Sequence, residues 1–140
     1  MPQLTRPIAR ACKLMLVDRL LFGFLALIHL LPALAAIAPQ QISKLYGVSA
    51  TDSALITLLQ HRAVLLGIVG LAFTVAAFRP DSSAAWHAVI IGAISMITFL
   101  VIATLNRELT GSLQKIAVVD AIGLIPLFVL FMRQPWARSF

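Results

Sequence analysis

Four long apolar runs, separated by short polar stretches, dominate the chain. They cover residues 20–38, 54–78, 84–105 and 116–132. A helix over residues 20–38 is roughly 28 Å long at about 1.5 Å per residue, close to the ~30 Å hydrocarbon core of a bilayer. The pattern therefore predicts four membrane-spanning helices.

Small or hydroxyl residues recur every three or four positions in the second and third runs, which places them on one face of each helix. In the second run they are Ala63, Gly67, Gly70, Thr74 and Ala77, and in the third they are Ala84, Ala88, Gly92 and Ser95. Small side chains let helix backbones approach closely inside a membrane. We expect these faces to serve packing within the bundle or the interface of a homo-oligomer.

The segments between the runs predict how the helices are connected. Residues 39–53 are typical of a short surface helix with Ile42, Leu45 and Tyr46 on its apolar face, ended by Gly47. Short polar turns follow the second and third runs. Because short loops make neighbouring helices antiparallel, the prediction is an all-α integral membrane four-helix up-down bundle forming a single domain.

The ends of the chain flank this domain, which covers residues 19–133. Residues 1–18 are expected to form a basic amphipathic helix on the membrane surface or a frayed tail, and residues 134–140 a cytoplasmic tail. Since cytoplasmic loops are rich in Lys and Arg, the more basic side of the membrane is expected to be the cytoplasm, with both termini on it. That side collects Arg6, Arg10, Lys13, Arg19, Arg79, Arg133 and Arg138, against Lys44, Arg107 and Lys115 on the other.

Composition strengthens the membrane interpretation. The chain has 140 residues, of which 61% are hydrophobic and 11% charged, and its mean hydropathy is +0.99. A soluble domain of this size cannot cover so much apolar surface. The net charge of +6 lies mostly beside the apolar runs, so membrane lipids are the expected partner and nucleic acid is not. The single cysteine, Cys12, excludes an internal disulfide.

Polar side chains inside the apolar runs are the candidates for a functional site, because a charge at mid-helix costs about 2.5–3.5 kcal/mol on insertion scales. Counted from the outer ends of their helices, Arg62 and Asp120 lie ~12 and ~6 Å deep. Arginine is long enough to bridge the difference, so we expect an ion pair between them, the alternative being that each reaches interfacial water. The whole candidate cluster consists of His29, Gln60, His61, Arg62 and Asp120.

His29 lies near the middle of the first run and shares a face with Pro32. A proline-kinked helix carrying an inward polar group can frame a cavity. One interpretation is a neutral histidine bonded to a carbonyl, to a hydroxyl group or to Gln60. The other is a b-type haem held by His29 and His61, whose depths of ~14 and ~10 Å are compatible.

The motifs of several enzyme classes are absent from the sequence. There is no Gly-rich phosphate-binding loop, no metal motif of the His-Glu-x-x-His or Glu-x-x-His type, and no serine in a nucleophile elbow. We therefore expect no catalytic residue, no metal ion and no cofactor.

Four short motifs carry a family resemblance: HLLP at 29–32, LYG at 45–47, HRAVLLGIVG at 61–70 and VVDAIG at 118–123. Over about residues 20–131 the chain resembles a group of small bacterial four-span membrane proteins and, more distantly, the DoxX-type four-helix membrane families. The resemblance implies a bacterial inner-membrane location and no established reaction. Members of the group often carry the name phosphopantetheine adenylyltransferase, a soluble enzyme whose Thr/His-x-Gly-His motif this chain lacks.

These observations together predict a non-enzymatic multi-pass protein of the bacterial inner membrane. Its polar cluster is either structural or binds a small amphiphile such as a quinone. One alternative is a redox protein that uses b-type haem or quinone. Another is a transport or proton-relay subunit in which His29, Arg62 and Asp120 lie along a path.

Overall fold

The computed structural model describes residues 5–49, 51–107 and 111–133, and within them all regular structure is α-helical. The helices are α1 (Thr5–Ala35), α2 (Pro39–Tyr46), α3 (Ser53–Phe78), α4 (Ser83–Leu105) and α5 (Gly111–Arg133). Four of them contain a stretch long and apolar enough to cross a membrane: Leu14–Leu34 within α1, and all of α3, α4 and α5. The predicted all-α four-helix membrane bundle is confirmed.

The four long helices form a ring in which each contacts two neighbours. α1 packs against α3 and α5, and α4 packs against the same two helices. Within the described helices, α3 and α5 therefore face each other diagonally without direct packing. The short α2 contacts α1, α3 and α5, so it covers one end of the ring. This is the up-down arrangement that short connections favour.

Helix α1 differs from its prediction at both ends. It continues without a break from Thr5, through the predicted boundary between a surface segment and a span. It ends at Ala35, before the predicted end of the span, because Ala38 precedes a proline and is extended, with φ −127° and ψ 112°. Pro39 then begins α2, at a position where its missing N–H costs no helical hydrogen bond.

The other long helices begin close to their predicted bounds, except α5. Asp52 caps α3, since its Oδ1 accepts a hydrogen bond of 3.0 Å from the N–H of Leu55, and Ser82 caps α4 in the same way. Such caps satisfy amide groups that the first helical turn leaves free. α5 begins at Gly111, within the predicted polar loop, because Leu113 packs against the apolar cluster beneath α2.

Helix α2, predicted as a short helix at the membrane surface, packs its apolar face onto one end of the bundle. Gly47 ends the helix as expected, in the left-handed conformation with φ 67° and with its N–H donating to the Ser43 carbonyl. Ile42 and Tyr46, one turn apart, are buried in an apolar cluster with residues of α3. α2 therefore closes one end of the ring.

The half of the bundle away from α2 is densely packed. Its large, fully buried side chains are Phe22, Leu25, Phe73, Val89, Met96, Leu127 and Leu130. Nearby, Nε of Arg133 donates to Oδ1 of Asp18 over 2.6 Å, and Nη2 of the same arginine donates to the Leu14 carbonyl over 2.9 Å. This ion pair joins α1 to α5.

Candidate ligand site between α3 and α5

Close packing of α3 on α1 determines where the polar residues of α3 lie. A Cβ at Gly67 would be 2.7 Å from Cβ of Ala33, and one at Gly70 would be 2.8 Å from Cγ of Leu30. The small-residue face of α3 is therefore used inside the bundle, against α1. Arg62 lies on a different face, turned toward the space between α3, α4 and α5.

Two cavities lie in the half of the bundle near α2. One, of about 590 Å³, lies beneath α2 between α1, α3 and α5; we call it the α2 cavity. The other, of about 620 Å³, lies between α3, α4 and α5; we call it the α4 cavity. Arg62, Leu66 and Asp120 line both cavities, so these three residues mark their junction.

The two cavities differ in polarity. The polar residues that line only the α2 cavity are His29, Gln41, Lys44, Tyr46, Ser112 and Lys115. The α4 cavity is mostly apolar, with Leu65, Val69, Ile94, Phe99, Ile102, Ala103 and Leu113 in its lining beside Ser95, Thr98 and Asn106. Both linings are mostly apolar, and the α2 cavity carries more of the charged and hydrogen-bonding side chains.

Arg62 is held by aromatic rings and not by a carboxylate. Its guanidinium carbon lies 4.3 Å from the ring centroid of Phe99 and 5.8 Å from that of Tyr46. Stacking of this kind stabilises the positive charge but leaves the N–H donors in the guanidinium plane. Among the described residues, no acceptor bonds to the Arg62 side chain. Its donors therefore face the cavities.

Asp120 lines both cavities with Arg62, but the predicted ion pair between them does not form. The ion pair found among the described residues is that of Arg133 with Asp18. The physical reason is the diagonal placement of α3 and α5, which leaves the two side chains facing a shared space instead of a shared interface. The half-buried Asp120 carboxylate also accepts no hydrogen bond from the described residues.

Tyr46, predicted only on the apolar face of a surface helix, belongs to the site. It lines the α2 cavity, and its side chain is buried. Burial raises the pKa of the Tyr46 phenol, an effect that the Arg62 charge opposes and the Asp120 charge strengthens. The phenol is therefore protonated at neutral pH and offers an O–H donor beside Arg62.

His29 is only 2% exposed and lines the α2 cavity. Its Nδ1 lies 2.9 Å from the Leu25 carbonyl, so this nitrogen carries the proton, because a carbonyl oxygen can only accept. Its ring also meets Phe73 edge to face, with centroids 5.2 Å apart. In the neutral ring Nε2 is an acceptor, and among the described residues it has no donor.

Gln60 and His61 lie outside both cavities. Nε2 of Gln60 donates to the Ala36 carbonyl over 2.8 Å, so this side chain satisfies the end of α1. His61 is exposed and lines neither cavity. The structure therefore does not bring His61 to His29 in a common space, as haem ligation by this pair requires.

The chemistry of the site is suited to binding an organic ligand. The described residues contain no group of three or more His, Cys, Asp and Glu side chains placed to hold a metal ion. Instead, a guanidinium, a carboxylate, a phenol and an imidazole line the α2 cavity, which adjoins the α4 cavity with its fewer polar side chains. This arrangement can orient a molecule that has a polar and an apolar end.

Comparison with known proteins gives no relative for this chain. No protein-family model matches it, and no curated protein or solved structure does either. Function is therefore inferred from the geometry of the site.

Proposed function

We propose that the protein binds a small amphiphile at the junction of the two cavities and is not an enzyme. The polar end of the ligand lies in the α2 cavity, and its hydrocarbon part lies in the α4 cavity. The observation that carries this proposal is the position of Arg62 and Asp120. Both line both cavities, and neither has an ionic partner among the described residues.

The energetics of charges in membranes support a ligand at this position. A charged side chain within a span is costly and is usually paired or turned to a polar cavity. A bound polar head group would give Arg62 and Asp120 the partners that the described chain does not supply. In the α4 cavity the tail would pack against apolar side chains, which surround it as lipid would.

We also propose that the protein lies in the bacterial inner membrane with both termini in the cytoplasm. An even number of spans supports two chain termini on the same side of the membrane. The excess of Lys and Arg on that side supports the cytoplasm. The resemblance of four motifs to small bacterial four-span proteins supports the inner membrane. In this orientation α2 and its cavity lie toward the periplasm.

Native mass spectrometry of the protein released from bacterial membranes in mild detergent tests ligand binding. The wild type is expected to carry a discrete adduct whose mass identifies the ligand class. Arg62→Gln and Asp120→Asn each remove one charged partner of the head group. Loss of such a charge-assisted hydrogen bond is worth about 1.5–3 kcal/mol, so adduct affinity should fall at least about tenfold in each variant.

Arg79→Gln and Asp81→Asn are matched controls, because they make the same chemical changes at exposed residues that line neither cavity. Both are expected to keep the adduct. An apo mass for the wild type, with the two cavity variants merely less stable than the controls, would make Arg62 and Asp120 structural. That result would overturn the proposal.

A further inference from the structure

The groups around the α2 cavity have both donors and acceptors to offer a ligand. Arg62 presents guanidinium N–H donors, and Tyr46 adds a protonated phenol. Asp120 and Nε2 of His29 are acceptors, and no described residue donates to either. His29 is almost fully buried and lines the same cavity as Arg62 and Asp120. A matching head group must both accept and donate hydrogen bonds.

The charge of the α2 cavity limits the head group further. Its lining carries the partly buried Arg62 and Asp120, together with Lys44 and Lys115, whose side chains are exposed. Charge interactions are stronger in a partly desolvated site than in bulk water. A head group without an anionic part would leave the positive charge of Arg62 uncompensated, and a purely cationic one would add to it. The head group therefore contains an anionic part.

From these two features we infer that the amphiphile has a head group combining an oxyanion with an adjacent hydrogen-bond donor. The oxyanion, a phosphate or carboxylate, meets Arg62 and the hydroxyl of Tyr46. The donor, a hydroxyl or an ammonium group, meets Asp120 and Nε2 of His29. This inference rests on the proposed function and narrows the class of its ligand.

Five probes separate the parts of this inference. Dodecyl esters of phosphoethanolamine, phosphoglycerol and phosphocholine share one chain and one phosphate, but phosphocholine has no N–H or O–H donor. Dodecylglycerol has donors and a chain but no charge. Inorganic phosphate has the oxyanion without a chain. Binding of each probe is measured by titration calorimetry on the full chain in a polyoxyethylene detergent.

The phosphoethanolamine and phosphoglycerol esters are expected to bind at least about tenfold more tightly than phosphocholine ester and dodecylglycerol, since each of the latter lacks one charge-assisted contact. Inorganic phosphate is expected to bind at least about a hundredfold more weakly, because it has no chain to occupy the α4 cavity and does not concentrate in the micelle with the protein.

Variants of Arg62 and Asp120 test which residue contacts each half of the head group. Arg62→Gln is expected to lower the affinity for all three phosphate esters about tenfold. Arg62→Lys, which keeps the charge, is expected to lower it less. Asp120→Asn is expected to remove most of the preference for phosphoethanolamine over phosphocholine. Arg79→Gln and Asp81→Asn should change neither quantity, because both residues lie outside the cavities.

Each contrary result has a separate meaning. Equal affinity for the phosphocholine and phosphoethanolamine esters would contradict the inferred hydrogen-bond donor. Binding of dodecylglycerol as tight as that of the phosphoethanolamine ester would contradict the inferred oxyanion. Either result leaves the proposed binding of an amphiphile in place. If inorganic phosphate bound as tightly as the esters, the ligand would be a free anion and not an amphiphile. No binding of any dodecyl probe, together with no native adduct, would overturn both proposals.

Discussion

Gly67 allows α3 to pack closely on α1, and this packing positions the site. Its Cα faces Ala33 so closely that an added Cβ would stand 2.7 Å from the Ala33 methyl group. We predict that Gly67→Ala lowers the free energy of unfolding by about 1–3 kcal/mol, because this contact lies between two helix backbones that must separate. Gly23→Ala is the control, since a Cβ there meets nothing within 4 Å. Unfolding in mixed micelles measures both.

A compensating substitution separates this contact from a general effect on the helix. In Gly67→Ala/Ala33→Gly the methyl group moves from α1 to α3, and the steric conflict disappears. We expect the double variant to be more stable than the sum of the two single effects predicts. Strict additivity would show that the Gly67–Ala33 contact is not what brings α3 onto α1.

The sequence predicted three of the cavity residues but not their relation to one another. His29, Arg62 and Asp120 stood out because polar groups inside apolar runs need a reason. Their depth follows from residue number, since a helix rises about 1.5 Å per residue. The predicted Arg62–Asp120 pair failed because pairing also depends on which helices are neighbours. That α3 and α5 are diagonal became visible only in the structure.

Two predicted residues fell outside the cavities, and one cavity residue was missed as a site residue. Gln60 bonds to the end of α1, and His61 is exposed. Both residues lie a few positions before Ala63, the first residue of the small-residue face of α3. At such positions a small error in the predicted rotation of the helix changes which element a side chain contacts. Tyr46 did carry a signal, because Ile42 and Tyr46 are one turn apart and form an apolar face that has to pack against something.

At the scale of elements, hydropathy predicted the four spans well and the short helix less well. Apolar length is a property of the local sequence, so α3 and α4 have nearly their predicted bounds. The position of α2 over the cavity depends on its contacts with α1, α3 and α5, which hydropathy does not report. Hydropathy also does not report the ion pair of Asp18 with Arg133, which joins α1 to α5.

The whole molecule has a filled half and a half with two cavities. Large side chains pack the half away from α2, whereas the half beneath α2 contains the two cavities. The small-residue faces of α3 and α4 are used in packing: Gly67 meets α1, and a Cβ at Gly92 would clash with the ring of Phe73. The exposed surface of the spans is left to large apolar residues, which suits contact with lipid.

Orientation in the membrane is a property of the whole chain, and we predict that the end covered by α2 faces the periplasm. In a Cys12→Ser background, Ser49→Cys follows α2 and Asp81→Cys lies in the turn between α3 and α4. A membrane-impermeant maleimide added to cells with a permeabilised outer membrane should label the first. It should label the second only after the inner membrane is broken. The reverse pattern would contradict the assignment of the termini to the cytoplasm.

Filling the α4 cavity is the most direct test of the central claim that this hollow part of the bundle holds an amphiphile. Thr98 is exposed and lines that cavity, whereas its neighbour Ile97 is exposed and lines neither cavity. Native mass spectrometry of Thr98→Phe and Ile97→Phe, extracted from bacterial membranes, therefore compares the same new side chain inside and outside the cavity. We predict that Thr98→Phe loses the adduct and Ile97→Phe keeps it. An adduct retained equally by both variants, or absent from the wild type, would contradict a ligand in this cavity.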